Sequence, residues 1–107
     1  MVSAQEAEFI DVRNAINYGR GHVPGARHLG YSGRSANSIA FDGSQDRFDL
    51  TRLPGDPDTA LVFYGHGDTG WKSYKAAVTA IRAGYTNVYW MRDGLDGWVA
   101  LGYSLER

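Results

Sequence analysis

Leu61-Val62-Phe63-Tyr64-Gly65-His66-Gly67-Asp68-Thr69-Gly70-Trp71 is the stretch whose reading decides the fold. With Ala60 ahead of it, the run to Tyr64 is continuously apolar, as in a central parallel strand covered on both faces. Glycines at 65, 67 and 70 then open a loop, after which Trp71, Tyr74, Val78 and Ile81 recur at helical spacing. Ala76, Ala77 and Ala80 allow close packing, and Gly84 after Arg82-Ala83 supplies the helix stop. A strand, a glycine loop and a helix in that order present a reactive group or an anion to backbone N–H donors at a helix N-terminus.

Working outward, Phe9-Ile10-Asp11-Val12-Arg13 alternates from Ile10 onward and predicts a short strand. Ala15 to Tyr18 predicts one or two helical turns, broken by Gly19 and Gly21. Val23-Pro24-Gly25 is a turn signal, and Ala26-Arg27-His28-Leu29 predicts a second short strand. Residues 30–59 carry little periodicity and no repeat. There Phe48, Leu50 and Leu53 anchor one short helical turn, and the stretch is expected to lie over the sheet. Asn87 to Met91 predicts a further strand, and Leu95 to Ala100 a closing helix before Gly102. Alternating strands and helices of this length imply an α/β domain with a mostly parallel sheet.

The chain has 107 residues, enough for a single domain with one core. Hydrophobic residues are 43% and charged residues 21%, the balance of an ordinary soluble domain. A formal net charge of −1 gives no basic field for nucleic acid or anionic membranes. No apolar run reaches the roughly 20 residues that span a bilayer. Met1 to Glu6 lacks the features of a secretory signal, and no compartment can be read. There is no cysteine, so disulfides are excluded.

Four segments, in order, resemble the rhodanese family over nearly the whole chain, most weakly over residues 30–59. Ile10-Asp11-Val12-Arg13 is similar to its early strand, whose Asp-x-Arg supports the site. Gly21-His22-Val23-Pro24-Gly25-Ala26 is similar to its Gly-His-Ile-Pro-Gly-Ala signature. Gly84-Tyr85-Thr86-Asn87-Val88-Tyr89 resembles the lead into its late strand. Asp93-Gly94-Leu95-Asp96-Gly97-Trp98 resembles its closing Gly-Gly-x-x-x-Trp helix, with Asp93 in place of the first glycine. The resemblance implies a three-layer α/β domain, with a central, mostly parallel five-stranded sheet flanked by helices. Many family members carry a leading strand and helix that are missing here, so residues 1–107 are expected to be one domain cut from a longer protein.

The family's active members open the loop with a cysteine, and one subgroup carries C-x-x-x-x-C-W. Trp71-Lys72-Ser73-Tyr74-Lys75-Ala76-Ala77 resembles that subgroup, yet both cysteine positions, 65 and 70, are glycine. The resemblance makes Gly65 the catalytic position with its nucleophile missing. Natural loss and deliberate removal of thiols both fit the sequence. Persulfide chemistry needs a thiolate, and glycine has no side-chain atom to replace it.

The backbone cradle is expected to remain, formed by Gly65, His66, Gly67, Asp68, Thr69, Gly70, Trp71 and Lys72. His66 and Lys72 favour a small oxyanion such as thiosulfate, sulfate or a phosphate-like group, whereas Asp68 opposes it. A plain mobile turn is the alternative, because three glycines raise the entropy cost of ordering the loop. Asp11, Arg13 and His22 are read as supports of the site. His22, His28 and His66 are too scattered for a metal site, and no cofactor is implied. Asp93 and Asp96 are read as starting and flanking the last helix. Ser73 lacks an adjacent base and is not read as a nucleophile. The leading functional expectation is a non-catalytic binding or regulatory module, with a protein partner or fused domain as its context. The alternative is a thiol-free variant of a thiosulfate or persulfide sulfurtransferase.

Overall fold

A computed structural model describes residues 7–67 and 70–107. The expectations placed on Met1 to Glu6, and on Asp68 and Thr69, lie outside the described residues. In chain order the elements are β1 (Ala7–Asp11), α1 (Ala15–Arg20), β2 (Arg27–His28), β3 (Ala60–Tyr64), α2 (Trp71–Arg82), β4 (Val88–Met91) and α3 (Gly94–Ala100). Two 3-10 turns, Gly43–Gln45 and Leu50–Arg52, lie between β2 and β3.

The strands form one sheet in the order β2-β1-β3-β4. Every pairing is parallel, with Ile10 opposite Arg27, Phe9 opposite Val62 and Phe63 opposite Trp90. Strand β3 is central and buried at all five positions, as its unbroken apolar run requires. Alternation sends its side chains to two faces. Leu61 and Phe63, with Ile10 and Val12, pack against Ala76, Ala77 and Ala80 of α2 and under Tyr31 and Leu53. On the other face Val62 and Tyr64 meet Phe9 and Met91, and Tyr64 joins Val23, Ala26, Leu95 and Trp98. The result is a sheet between two covering layers. Burying Phe63 or Leu61 in this way contributes about 1.5–3 kcal/mol each.

Two expectations are corrected. The sheet has four strands among the described residues, not five. Residues 30–59 hold two 3-10 turns and no strand. Asp42 accepts from the Ser44 N–H and Asp49 from the Thr51 N–H, each starting a 3-10 turn. Phe48 and Leu50 are partly buried beside Leu53 on the α2 face, so the stretch does lie over the sheet. The second correction concerns Gly19, which does not break α1. Asn14 caps that helix by accepting from the Asn17 N–H, and the helix runs on to Arg20 before Gly21 closes it.

Candidate oxyanion cleft at the end of the central strand

Gly65 follows the last residue of β3, on the side where the sheet's carboxyl ends meet the loops. It lines a cleft of about 360 Å³ together with His66, Gly70, Trp71, Lys72 and Ser73 from the loop and α2. Val12, Arg13, Asn14 and Asn17 close it from the β1–α1 side, and Tyr31, Gly33 and Asn37 from the long connection. Lys75 completes the lining.

The loop is held by α3. The N–H of Leu95 donates to the Gly65 carbonyl at 2.9 Å, and that of Asp96 to the His66 carbonyl at 2.8 Å. Gly94 makes this approach possible. It adopts φ +57°, and a Cβ there would stand 2.6 Å from the Gly65 oxygen. Asp93 stands at the N-cap of α3, as expected, but makes no side-chain capping bond there. Within the loop the Gly70 N–H returns to the Gly67 carbonyl at 3.0 Å. Gly70 then stands at the N-cap of α2 with no side chain to satisfy the first-turn donors, and no acid lies in that turn.

Gly65 has room for a side chain. A Cβ there would meet only Ser73, at 3.7 Å from Oγ and 3.8 Å from Cβ, both ordinary contacts. The Ser73 hydroxyl spends its proton on the Gly70 carbonyl at 3.2 Å and accepts from the Trp90 indole at 2.9 Å. His66 is exposed, with Nε2 at 3.3 Å from Asn17 Nδ2. Trp71 is half-buried edge-on to Tyr74, and Lys72 is exposed.

Behind the cleft, Asp11 and Arg13 form a buried pair. The Arg13 guanidinium donates to Asp11 from Nη2 at 2.7 Å and to the Gly21 carbonyl at 2.6 Å. Its charge is therefore spent on the scaffold. Tyr64 lies on the opposite face, accepting from the Val23 N–H at 3.1 Å. Burial, then the Asp11 charge, push its hydroxyl pKa far above the usual phenol range. His22 is placed outside the cleft lining. Its Nδ1–H donates to the Tyr18 carbonyl at 2.8 Å, its ring stacks on Tyr18, and Nε2 sits 3.3 Å from Glu106. Its support of the site is indirect, through the turn that also supplies the Gly21 carbonyl.

The structure thus brings Gly65, His66, Gly70, Trp71, Lys72 and Arg13 to one cleft. Gly67 belongs to the loop but does not line the cleft, and an added Cβ there would come within 2.8 Å of Asp96 Oδ2. Sequence reasoning passed over Lys75, Asn17 and Asn37. For Lys75 a signal existed: a lysine directly before Ala76 and Ala77, on the apolar face of the helix. Among the described residues no three His, Asp or Glu side chains converge as a metal site would need. No described helix is long and apolar enough to cross a membrane.

A family model for the rhodanese-like domain matches residues 1–101. The chain belongs to the rhodanese-like family. Solved structures agree on the fold. The rhodanese-like domain of a protein from Anabaena sp. is 24% identical with a TM-score of 0.68, covering 94% of this chain and 81% of that one. A protein from Bacillus halodurans is 22% identical with a TM-score of 0.70, over 95% of this chain and 64% of its own. A thiosulfate sulfurtransferase from Pseudomonas aeruginosa is 23% identical with a TM-score of 0.67. The match spans 95% of this chain but only 17% of that enzyme. Against this background, the present rhodanese-like domain has no cysteine and hence no persulfide nucleophile.

Proposed function

We propose that this rhodanese-like domain is a non-catalytic binding or regulatory module whose Gly65–Lys72 loop holds a small oxyanion such as thiosulfate, sulfate or a phosphate-like group. The observation that carries this reading is the junction of Gly65 with α2. A side-chain-free strand end faces a cleft beside a helix first turn that its own N-cap leaves uncapped. Lys72 and His66 line the same space and add donors. Affinity rests on backbone donors and one exposed lysine, so half-saturation falls in about the millimolar range, near −4 kcal/mol. The test is a thiosulfate titration of the unaltered chain followed by amide NMR. Saturable shifts at Gly65 to Lys72 are expected, and an unmoved loop at about ten times that concentration refutes the reading.

A second reading is a thiol-free variant of a sulfurtransferase, favoured by the open space at the Gly65 Cβ position. Gly65→Cys separates the two. Thiosulfate:cyanide transfer by that variant would mean the rest of the site is kept and only the nucleophile is missing. No transfer by a folded variant that still binds thiosulfate favours the binding module.

A further inference from the structure

Lys75 is the group that neither the scaffold nor the loop explains. It is only 3% exposed, sits on α2 between Tyr74 and Ala76, and lines the cleft. Its Nζ donates to the Ser35 carbonyl at 2.9 Å and to Asn37 Oδ1 at 3.0 Å. The Phe41 ring centroid is 5.8 Å away. All these partners are neutral. Among the described residues no carboxylate forms an ion pair with it. An ammonium has three donors, and two are engaged.

Removing a charge from water without a counter-charge is costly. A clamp on Ser35 and Asn37 needs hydrogen-bond donors, not a full charge. The charge becomes useful once an anion enters the cleft. Lys75 lies four residues beyond Trp71, about 6 Å along the helix axis, and helix side chains lean back toward the N-terminus. The first turn of α2 and Lys75 thus line one and the same cleft. At about 360 Å³ it has room for more than a single inorganic oxyanion.

We propose that Lys75 is a specificity-determining residue, and that the cleft takes a small two-headed organic anion. In it an oxyanion such as a sulfonate or thiosulfonate meets Gly65, Gly70 and the first turn of α2, and a carboxylate one or two carbons away meets Lys75. This rests on the oxyanion reading of the loop and adds the second contact. Asn37 and Ser35 hold the ammonium in place, and the incoming carboxylate takes its third N–H.

The test uses a matched pair of probes, methanesulfonate and sulfoacetate, which differ only by the carboxylate. In the unaltered chain both should shift the amides of Gly65 to Lys72. Sulfoacetate should also shift Ser35, Asn37 and Lys75, and bind about tenfold tighter, the factor of one added charge-assisted contact. Lys75→Met should reduce sulfoacetate to the methanesulfonate level, while Lys75→Arg keeps most of the preference. Equal affinity of the two probes, with loop shifts present, overturns the role of Lys75 and leaves the loop reading standing. No loop response to either probe overturns both. Should Lys75→Met fail to fold, the comparison in the unaltered chain, together with Lys75→Arg, still decides.

Discussion

Asp11→Ala strands a buried cation, and its cost can be worked from the geometry. Asp11 is 0% and Arg13 5% exposed, so solvent screens neither partner. Asp11 accepts from Arg13 Nη2 at 2.7 Å, from Nε at 3.1 Å and from the Arg13 backbone N–H at 2.9 Å. With the carboxylate gone, the guanidinium keeps only the Gly21 carbonyl, a neutral acceptor. Removing one member of a buried pair costs about 3–5 kcal/mol. A domain of this size has about 5–15 kcal/mol in total. At roughly 4 °C or more per kcal/mol, the melting temperature should fall by at least about 12 °C. Urea unfolding measures the effect directly, as a lowered midpoint at unchanged slope. The companion double variant, Asp11→Leu with Arg13→Met, removes both charges and should recover much of the loss. A single-variant loss below about 1 kcal/mol, or a double variant worse than the single, would refute the claim that the cost lies in the uncompensated charge.

Other outcomes follow from the same contacts. Gly94→Ala should cost about 2 kcal/mol or more, since φ is +57° and the new Cβ meets the Gly65 oxygen at 2.6 Å. Gly65→Ala meets nothing nearer than 3.7 Å and should be neutral or gain about 0.4–1 kcal/mol. Thermal unfolding of the two variants checks this, and the reverse order sinks the account of α3 seating the loop. Asp46 gives an acid-linked effect. Burial opposes its charge, but the hydroxyls of Ser35 and Tyr31 and the N–H groups of Arg34 and Ser35 hold its pKa down, from 3.8 to about 2. Its folded pKa lies below the unfolded one, so its contribution is complete above 3.8 and fades as pH falls toward about 2. The Arg34 and Ser35 amides should shift across that window, and Asp46→Asn should abolish the pH-dependent part.

Residue patterns made much of this domain legible, because the patterns are local. The five apolar residues at 60–64 could only be a covered strand, and β3 carries those bounds. The periodicity from Trp71 and the stop near Gly84 fixed α2, which ends at Arg82. The same reasoning missed at Gly19, where the cap at Asn14 outweighed one glycine's weak helix propensity. The fifth strand was implied by the family resemblance rather than by any local pattern, and no described segment provides it.

The sequence alone determined that there is no thiol at Gly65 or elsewhere, since composition is independent of folding. It also determined the strand–loop–helix order and, through the hexapeptide at Gly21, the family. Tertiary structure decided what contacts distant in sequence decide. Lys75 meets Ser35 across 40 residues, and His22 meets Glu106 across 84. The first turn of α3 receives the carbonyls of the Gly65–His66 loop. No local period encodes such contacts. They arise only when the two faces of the sheet are covered, and that covering turns Lys75 from one more helix lysine into a buried charge facing a cleft.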